Sequence, residues 1–584
     1  MKIINQPQDM VMEMCRGISL SDPEVEFLPR YRVLKKKRLN PDKVSLISGG
    51  GSGHEPAHAG YIGKGMLDAA VCGDIFASPS QIQVYQACNA VKSKKGILLI
   101  IKNYSGDIMN FRNGAALAQA EGIQVDYVKV EDDIAVQDSK YTVGRRGVAG
   151  TVLVHKCAGA AAEAGMSLEE VKEAAQHAAD QVRSIGFAFS SCIVPSTGVP
   201  TFEIRDGEME YGVGIHGEPG RTREKAVSAD ELAGRMARQV AEDLKLQADD
   251  ETAVLVNGFG GTPLQELYVL TDAVFRVLNK MGIRVYRCFT GNYMTSIDMQ
   301  GASLSIMKLD ERLKQLLDAP SSAPAFRIDG RADVPVLTEE DSRPKTDGKA
   351  QEPLYDSRWE YMDKDRVRME NIWAMVSVMR DCILENEAEF CRMDSYAGDG
   401  DFGMSVAKGF RQVWREWNNL LEENGENIGA FLKACSFVIM EYCGGASGPI
   451  WGSAFHAAGI CAGDRSCLTK TEFADMMAAA VDGIQKTGER SFGRGAAVGD
   501  KTLIDALAPC ADILAESARM DRTMKECLEL GAEAAKDGAE QTKNIVARMG
   551  RAGVVGERSL GYPDAGAYAL GVIFREIADR MKSL

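Results

Sequence analysis

The sequence lacks the features of a membrane-spanning or exported protein. Its longest compact aliphatic run is GILLII at residues 96–101, whereas a transmembrane helix needs about 20 apolar residues. The first ten residues, MKIINQPQDM, contain no apolar core of a signal peptide. We therefore predict no membrane partner, and we interpret residues 96–101 as a buried strand.

An excess of positive charge is also absent. The 83 acidic residues outnumber the 68 basic ones, and the formal net charge is -15. Nucleic acids and anionic membranes attract basic surfaces, so we expect no nucleic-acid partner. An anionic ligand would need a local pocket on this chain.

Paired cysteines are missing as well. The 14 cysteines are scattered without a CxxC pair, a pattern typical of reduced thiols in a cytosolic protein and not of a disulfide framework. We predict a cytoplasmic protein without a zinc site. The 59 glycines follow no collagen-like period, and the hydrophobic fraction of 45% is typical of a globular chain.

The length of 584 residues exceeds what one hydrophobic core supports. From residue 44 to about 330, strand-like runs such as VSLIS and TAVLVNGF alternate with alanine-rich helical stretches, which indicates α/β architecture. We predict two α/β subdomains in residues 1–337, split near 220–250, and a polar linker at 338–358. Residues 359–584 carry apolar residues at helical spacing, which predicts an all-helical domain.

Histidine is scarce, with six residues in all, yet two of them lie close together in the sequence. His54 and His58 occur in SGGGSGHEPAHAG at residues 48–60, directly after an apolar run. A glycine loop after a strand exposes backbone N–H groups and admits a small ligand. A tight structural turn accounts for the glycines equally well, but the histidines favour a functional site.

Two more loops of the α/β region carry polar side chains. IKNYSGDIMNF at 101–111 places Lys102 and Asp107 after a strand, where open α/β sheets commonly bind ligands. A local turn made by the aspartate is the simpler alternative. GVGIHGEPG at 212–220 places His216 between glycines, which favours exposure of its ring to a ligand.

The helical region contains an acidic loop near its start. DSYAGDGDFG at 394–403 supplies Asp394, Asp399 and Asp401, and its glycines interrupt a helix. A loop can point all three carboxylates at one centre, and oxygen-only ligation suits Mg2+. An exposed acidic loop without a metal is the alternative.

Three later stretches of the helical region are candidates for nucleotide binding. CGGASGPIWG at 443–452 and VGDKTLIDAL at 498–507 suit phosphate binding at a helix start. GRAGVVGERSLGYPDAGA at 550–567 suits closure over a nucleotide. Helix packing, helix capping and a long surface loop are the respective alternatives.

Taken together, these stretches resemble the dihydroxyacetone kinases of the single-chain, ATP-dependent kind over nearly the whole chain. The segments ISGGGSGHEPAHAGYIGKGMLDAAVCGDIFASPS, NYSGDIMNF, GIHGEPG, NGFGGTPLQEL and TGNYMTSIDMQGASLSI are similar to the family's substrate-binding K domain in order and spacing. The sequence from residue 394 onwards is similar to the nucleotide-binding L domain, an antiparallel helical barrel that holds ATP and Mg2+. The resemblance implies that residues 1–337 form the K domain and 359–584 the L domain.

For the K domain, the resemblance implies covalent chemistry. His216 would attack the ketone carbonyl through a ring nitrogen and form a hemiaminal, which rejects glycerol because glycerol has no electrophilic carbon. His54 and Asp107 would assist proton movement from the hydroxyl that attacks the γ-phosphoryl group. His58 has no implied catalytic role. The residues implied to surround the substrate are Gly51, Ser52, Gly53, His54, Lys102, Asp107 and His216.

For the L domain, the resemblance implies a magnesium and nucleotide site. The implied metal ligands are Asp394, Asp399 and Asp401. The residues implied to contact ATP are Gly403, Ser405, Ser447, Gly448, Lys501, Thr502 and Asp564. The sequence departs from the family pattern at Phe402 and, within 550–567, at Gly553, Val554, Val555 and Ala565.

The prediction is therefore ATP-dependent phosphorylation of dihydroxyacetone, a small ketose. A four-carbon ketose such as erythrulose is the nearest alternative, since one or two added groups change selectivity by only about 1 to 3 kcal/mol. A ketone-sensing protein with nucleotide as a fixed cofactor, a phosphocarrier-dependent transferase and cyclising cleavage of FAD remain open. The resemblance also implies a homodimer in which the K domain of one chain faces the L domain of the other.

Overall fold

The computed structural model describes residues 2–136, 144–331, 334–335, 353–549 and 556–584. The chain forms two compact units, Met1–Pro344 and Lys345–Leu584, called here the N-terminal and C-terminal units. Most of the predicted linker, residues 338–352, lies outside the described residues.

The first half of the N-terminal unit is built on a six-stranded sheet. Its strands are β1 Val25–Leu28, β2 Val33–Lys36, β3 Ser45–Ser52, β4 Ala69–Ile75, β5 Ile97–Lys102 and β6 Val125–Val130. They lie in the order β1-β2-β4-β3-β5-β6. The pairs β3–β4, β3–β5 and β5–β6 are parallel, so the carboxyl ends of β3 and β5 meet at one edge of the sheet.

Helices cover both faces of this sheet. They are α1 Met10–Ser21, α2 Gln81–Ala90, α3 Ser105–Ala120, α4 Thr151–Glu163 and α5 Leu168–Asp180. In β5, Leu98 and Ile100 belong to one buried apolar cluster, and Leu99 and Ile101 belong to another. Burial on both faces explains why the run GILLII is apolar throughout and does not alternate.

The second half is built on a mixed sheet. Its strands are β7 Val182–Ala188, β8 Glu208–Tyr211, β9 Thr222–Lys225, β10 Glu251–Gly258, β11 Arg284–Gly291 and β12 Gly301–Leu309, in the order β11-β10-β12-β7-β8-β9. Within this sheet β10–β11 is a parallel pair, while β10–β12 and β12–β7 are antiparallel. Its strands begin at residue 182, ahead of the split predicted near 220–250, because β7 pairs with the distant β12. The remaining elements are α6 Ala229–Leu244, α7 Leu264–Lys280, α8 Glu311–Asp318, and a hairpin of β13 Ser321–Ala323 and β14 Phe326–Ile328.

The C-terminal unit is helical. Its helices are α9 Met369–Glu385, α10 Glu387–Asp394, α11 Phe402–Arg415, α12 Trp417–Asn424, α13 Ile428–Tyr442, α14 Ser447–Ala462, α15 Lys470–Phe492, α16 Ile504–Ala518, α17 Met524–Gln541 and α18 Ala565–Arg580. The long helices pack in a closed ring: α9 against α11, α11 against α13, then each of α13 to α18 against the next, and α18 against α9. The ring encloses one apolar core, as a helical barrel does.

Two short strand pairs supplement the helices: β15 Tyr361–Met362 with β18 Lys582–Ser583, and β16 Arg366–Arg368 with β17 Cys467–Thr469. The predicted fold class, an α/β region followed by a helical domain, is confirmed. Across the described ranges, no helix combines the length and apolar character needed to span a bilayer.

Candidate active site

Two histidine rings meet in the N-terminal unit. His54 follows the end of β3, and His216 lies in the glycine-rich loop after β8; their Nε2 atoms are 3.3 Å apart. His54 is fully buried, and its Nδ1 lies 2.9 Å from the backbone oxygen of Thr295. The two residues are 162 positions apart in the chain, so only the tertiary fold brings them together.

Both histidines are held in the neutral form. Burial, together with a smaller contribution from the nearby Lys102 charge, lowers the pKa of His54 to about 3. Burial also holds the pKa of His216 well below its usual value, with added repulsion from His54 and Lys102. A neutral imidazole keeps a nitrogen lone pair that is available for bonding or for accepting a proton.

An ion pair lies at the same edge of the first sheet. Lys102 ends β5 and is fully buried, and its Nζ lies 3.2 Å from Oδ2 of Asp107 in the first turn of α3. The other carboxylate oxygen of Asp107 accepts a hydrogen bond of 2.5 Å from the hydroxyl of Ser78. The backbone at Gly50 approaches closely, since a Cβ there would lie 2.6 Å from the Lys102 ammonium.

Tyr104 connects the histidine pair with the ion pair. Its ring packs edge-on against His216 with 4.3 Å between centroids, and the Lys102 ammonium lies 5.3 Å from its centre. Phe76 lines the other side, stacked on His54 at 5.3 Å and edge-on to His216 at 5.5 Å. The structure thus brings His54, His216, Lys102 and Asp107 close together.

The remaining predicted residues of the substrate loop shape it. Gly51 and Gly53 pack against Phe76, where a Cβ would lie 3.0 Å or less from its atoms. The Ser52 hydroxyl donates to the backbone oxygen of Gly73 at 2.8 Å. His58 points away, with its Nδ1 3.0 Å from Nε2 of the buried His155, consistent with a role in loop structure.

Sequence reasoning assigned no role to several residues that contact these groups. Phe76, Ser78, Tyr104 and Thr295 contact the predicted residues as described above. Phe76 and Ser78 lie in the segment GDIFASPS, and Tyr104 lies between Lys102 and Asp107. These positions were close to quoted motifs, but no local pattern distinguishes a ring that lines a pocket from a core aromatic.

The three aspartates of the C-terminal unit do converge. Asp394 ends α10, Asp399 and Asp401 precede α11, and each offers a carboxylate oxygen within 4.8 Å of the others. Asp394 folds the loop back by accepting the Gly400 N–H at 2.9 Å. Three carboxylate oxygens at one point are a donor set that suits a hard divalent cation such as Mg2+.

A cavity of about 220 Å³ opens beside the aspartates. Its wall includes the start of α14, where the first-turn N–H groups of a helix suit phosphate oxygens. The predicted residues that line it are Asp394, Asp399, Asp401, Ser447, Lys501, Thr502 and Asp564. Phe402 lines it too, so this departure from the family pattern lies in the cavity wall.

Three other residues predicted to contact ATP do not line this cavity: Gly403, Ser405 and Gly448. The Ser405 hydroxyl donates to the Gly444 backbone oxygen at 2.7 Å and so fixes the glycine loop before α14. Gly403 permits close packing of α11 on α10, since a Cβ there would lie 2.1 Å from the Glu387 oxygen. Their predicted contacts with ATP stay predictions.

The side chains of Lys501 and Asp564 form hydrogen bonds with backbone groups of the C-terminal unit. The buried Lys501 ammonium donates to the backbone oxygens of Thr542 and Tyr562 at 2.9 and 2.8 Å. Asp564 caps α18 by accepting the Ala567 N–H at 2.8 Å, and burial raises the pKa of its carboxyl to about 7. Residues 550–555 of the predicted nucleotide lid, including Gly553, Val554 and Val555, lie outside the described residues.

Two family models match the chain. The Dak1 domain covers residues 16–325, and the DAK2 domain covers residues 396–579. The chain belongs to the dihydroxyacetone kinase family. The resemblance drawn from the loop motifs is thereby confirmed, including the presence of both domains in one chain.

Similar proteins of this family differ in organisation and named substrate. The dihydroxyacetone-binding subunit DhaK of PTS-dependent dihydroxyacetone kinase 1 from Listeria innocua is 50% identical over 321 residues, which are 55% of this chain and 98% of the subunit. L-erythrulose 1-kinase of Mycolicibacterium smegmatis is 34% identical over 584 residues, 99% of both chains. The crystal structure of dihydroxyacetone kinase from C. freundii in complex with AMP-PNP and Mg2+ matches 99% of both chains, at 29% identity and a TM-score of 0.57.

Proposed function

We propose that this protein is an ATP-dependent kinase that phosphorylates a primary hydroxyl of a short ketose, principally dihydroxyacetone, held as a hemiaminal on His216. The observation that carries the proposal is the pair of neutral histidines, with Nε2 atoms 3.3 Å apart, beside the buried Lys102–Asp107 ion pair. The complex of the C. freundii enzyme with AMP-PNP and Mg2+ supports ATP as the phosphoryl donor.

The hydrogen bonds of His54 define its tautomer. A backbone oxygen only accepts, so the contact with Thr295 at 2.9 Å requires a hydrogen on His54 Nδ1. In the neutral ring Nε2 then carries a lone pair, and His216 Nε2 donates its hydrogen to that atom. His54 is therefore suited to accept this proton when His216 Nε2 becomes a nucleophile.

The covalent step balances without any external reactant. A bond forms between His216 Nε2 and the carbonyl carbon, while the π electron pair of the carbonyl moves to its oxygen. The proton that leaves Nε2 passes through His54 to this oxygen, which gives a neutral hemiaminal. Glycerol lacks the electrophilic carbon, so this step discriminates against it.

Asp107 is the proposed acceptor of the proton in phosphoryl transfer. The substrate hydroxyl oxygen bonds to the γ-phosphorus, its proton goes to the Asp107 carboxylate, and the electron pair of the broken P–O bond stays on ADP. Lys102 and Ser78, both bonded to Asp107, hold the carboxylate in a fixed orientation.

The C-terminal unit supplies the nucleotide groups of the proposal. Asp394, Asp399 and Asp401 would hold Mg2+, which when bound neutralises charge on the triphosphate. Ser447 begins α14 and lies in the same cavity wall, where backbone N–H groups would donate to phosphate oxygens.

A four-carbon ketose is the second candidate acceptor. The M. smegmatis relative, similar over 99% of this chain, is named an L-erythrulose 1-kinase. Erythrulose presents the same carbonyl and primary hydroxyl, so the His216 chemistry applies unchanged. Dihydroxyacetone and erythrulose differ in size, because erythrulose needs space in the site for a fourth carbon.

The test is ADP release from Mg-ATP with dihydroxyacetone, erythrulose, glyceraldehyde or glycerol at matched concentrations, against a control without acceptor. We expect turnover with the ketoses and little with glycerol, and the ranking of the ketoses selects the acceptor.

Variants test the roles of the two sites. We expect His216→Ala to abolish the ketose adduct seen by intact mass. Asp399→Asn should retain the adduct and lower turnover about 100-fold or more, while Asp464→Asn, at an exposed residue of the same unit, should match the parent.

Other results would contradict the proposal. An unchanged adduct in His216→Ala would remove the hemiaminal. Turnover that requires an added phosphocarrier would favour the transferase alternative, which the PTS-dependent Listeria relative represents. Ketose binding without any turnover would favour a sensing role.

A further inference from the structure

The loop that carries His216 is held by a side chain from another part of the chain. This loop follows β8, and Gly212 and Gly217 in it adopt φ values of +80° and +68°. Such a loop has no regular backbone ladder to fix it. Backbone hydrogen bonds hold its two ends, from the Gly212 N–H to the Gly186 oxygen and from the Arg221 N–H to the Tyr211 oxygen, both at 2.7 Å. Between these ends, side-chain contacts help to set the orientation of His216.

Glu218 holds the backbone of His216 directly. One of its carboxylate oxygens, Oε2, accepts the His216 N–H at 2.8 Å. The other, Oε1, accepts from Nη1 of Arg146 at 2.9 Å. Each oxygen thus has one partner, and the carboxylate joins the His216 backbone to the guanidinium.

Arg146 connects this carboxylate to Asp133 and to the backbone of Gly212. Its Nε lies 2.7 Å from Oδ2 of Asp133, and its Nη2 donates to the Gly212 backbone oxygen at 3.0 Å. The Asp133 N–H also donates to the Arg146 backbone oxygen at 3.0 Å. One guanidinium therefore fixes both the start of the loop, at Gly212, and the segment next to His216, through Glu218.

The loop backbone is packed against this ion pair. A Cβ at Gly214 would lie 1.8 Å from Glu218 Oε1 and 2.7 Å from Arg146 Nη1. The side chains of Arg146 and Asp133 are 3% and 1% exposed, so little water screens their charges. Glycine at 214 is required for the carboxylate to reach both partners.

Stability alone is a poor explanation for this arrangement. Taking charged groups out of water costs several kcal/mol per ion, and an apolar replacement of a buried ion pair is often as stable or more stable. What a forked guanidinium adds is fixed geometry, because its N–H donors have set directions. The group whose position this geometry controls is the imidazole ring of His216, two residues before Glu218 in the chain.

We propose that Arg146 and Glu218 are positioning residues for His216: the pair holds the loop so that His216 Nε2 faces His54 and the ketose carbonyl. The inference rests on the proposed function for the identity of the ligand. It concerns the ketose half of the reaction only, so nucleotide binding in the C-terminal unit is independent of it.

The test compares Glu218→Gln and Arg146→Lys with the parent chain. Glutamine has a single side-chain oxygen, so Glu218→Gln can accept from the His216 N–H or from Arg146 but not from both, and its NH2 group then faces the other donor. Arg146→Lys keeps the charge but loses the fork. We expect the KM for ketose to rise, kcat/KM to fall about 10-fold or more, and adduct occupancy to fall, with the KM for ATP unchanged.

Arg145→Lys is the matched control. Arg145 is the adjacent residue and makes a forked ion pair with Asp243 at 2.8 and 2.7 Å, away from His216. We expect its ketose kinetics to match the parent within twofold. Folded Glu218→Gln and Arg146→Lys proteins with parental ketose KM, kcat and adduct occupancy would overturn the proposal, as would an equal loss in Arg145→Lys.

A measurement on the unsubstituted chain applies even if the variants do not fold. The His216 amide should be protected from hydrogen exchange because Glu218 accepts it, and exchange at the rate of an exposed loop would refute the positioning role. A parent chain with a protected His216 amide but no ketose adduct would instead refute the proposed function. The two failures are therefore distinguishable.

Discussion

At the scale of single residues, Phe76 adopts a backbone conformation that aromatic residues rarely adopt. Its φ is +56°, a region that costs a non-glycine residue about 1 kcal/mol or more. The ring it places contacts both histidines, at 5.3 and 5.5 Å between centroids. This combination of an unusual backbone and contacts with both histidines makes Phe76 our candidate for shaping the proposed ketose site.

We predict that Phe76→Leu shifts acceptor preference towards erythrulose. The smaller side chain leaves room beside His54 and His216 for a fourth carbon, and differences of about one or two groups in a pocket change selectivity by roughly 10-fold. The ratio of kcat/KM for erythrulose to that for dihydroxyacetone should rise by about that factor. Steady-state kinetics with both ketoses measures it.

Phe111→Leu is the control for this prediction. Phe111 is fully buried in the cluster on the other face of the first sheet, so the same change there lowers stability without enlarging the ketose pocket. An unchanged substrate ratio in Phe76→Leu, or an equal change in Phe111→Leu, would show that Phe76 does not set the preference.

At the scale of elements, the sequence predicted where strands lie better than it predicted which strands pair with each other. Apart from one or two residues at an end, the runs VSLIS, GILLIIK, IQVDYVKV and TAVLVNGF lie in strands β3, β5, β6 and β10. Apolar patterning and flanking glycines specify each of these locally. The antiparallel pairing of β7 with β12 has no local signal, because it joins segments more than 100 residues apart.

The same contrast applies to the site. His54, His216, Lys102, Asp107 and the three aspartates were predicted as site residues because each lies in or next to a short segment that contains glycine. The contact of Glu218 with Arg146 spans 72 positions, and that of Lys501 with Tyr562 spans 61. Such contacts depend on the tertiary fold, so an arginine in the run RRG gave no indication of its role.

Burial by these elements predicts how adduct formation depends on pH. With its pKa lowered to about 3, His54 stays neutral at pH 5, where a histidine of ordinary pKa near 6.5 is about 3% neutral. The pKa of His216 is also well below its usual value. We expect the amount of hemiaminal at about pH 5 to match that at about pH 7.5 within twofold, as measured by carbon NMR of carbonyl-labelled ketose.

Circular dichroism at each pH is the necessary control. Below about pH 6.5 the unfolded chain binds protons at these two histidines that the folded chain does not bind, down to about pH 3 for His54. They therefore lower the free energy of unfolding as pH falls. Loss of the adduct with a midpoint near pH 6.5, in protein that remains folded, would contradict the assignment of neutral buried histidines.

At the scale of the whole molecule, the two halves of the proposed reaction belong to different compact units. The histidine pair and Lys102–Asp107 lie in Met1–Pro344, and the carboxylate cluster lies in Lys345–Leu584. Phosphoryl transfer requires the bound ketose and the γ-phosphate to meet. Family resemblance suggests that they meet between two chains, and we retain this homodimer as a proposal.

Mixing two inactive variants tests that proposal. His216→Ala inactivates the ketose site and Asp399→Asn the nucleotide site, so neither homodimer turns over. In a mixed dimer with exchange between chains, the intact ketose site of one chain meets the intact nucleotide site of the other. Random exchange makes half of the dimers mixed, each with one working pair, so ADP release should recover to roughly a quarter of the parental rate.

The control combines both substitutions in one chain and mixes it with the parent. If the domains of two chains face each other, a mixed dimer in this mixture has no working pair, so activity after random exchange should be roughly a quarter of the parental rate. If each chain uses its own two units, roughly half should remain. Subunit exchange itself is followed by native mass spectrometry of chains that differ in mass. If mixed dimers form and the two single variants together stay inactive, each chain uses its own two units, and the exchange implied by the family resemblance is wrong for this protein.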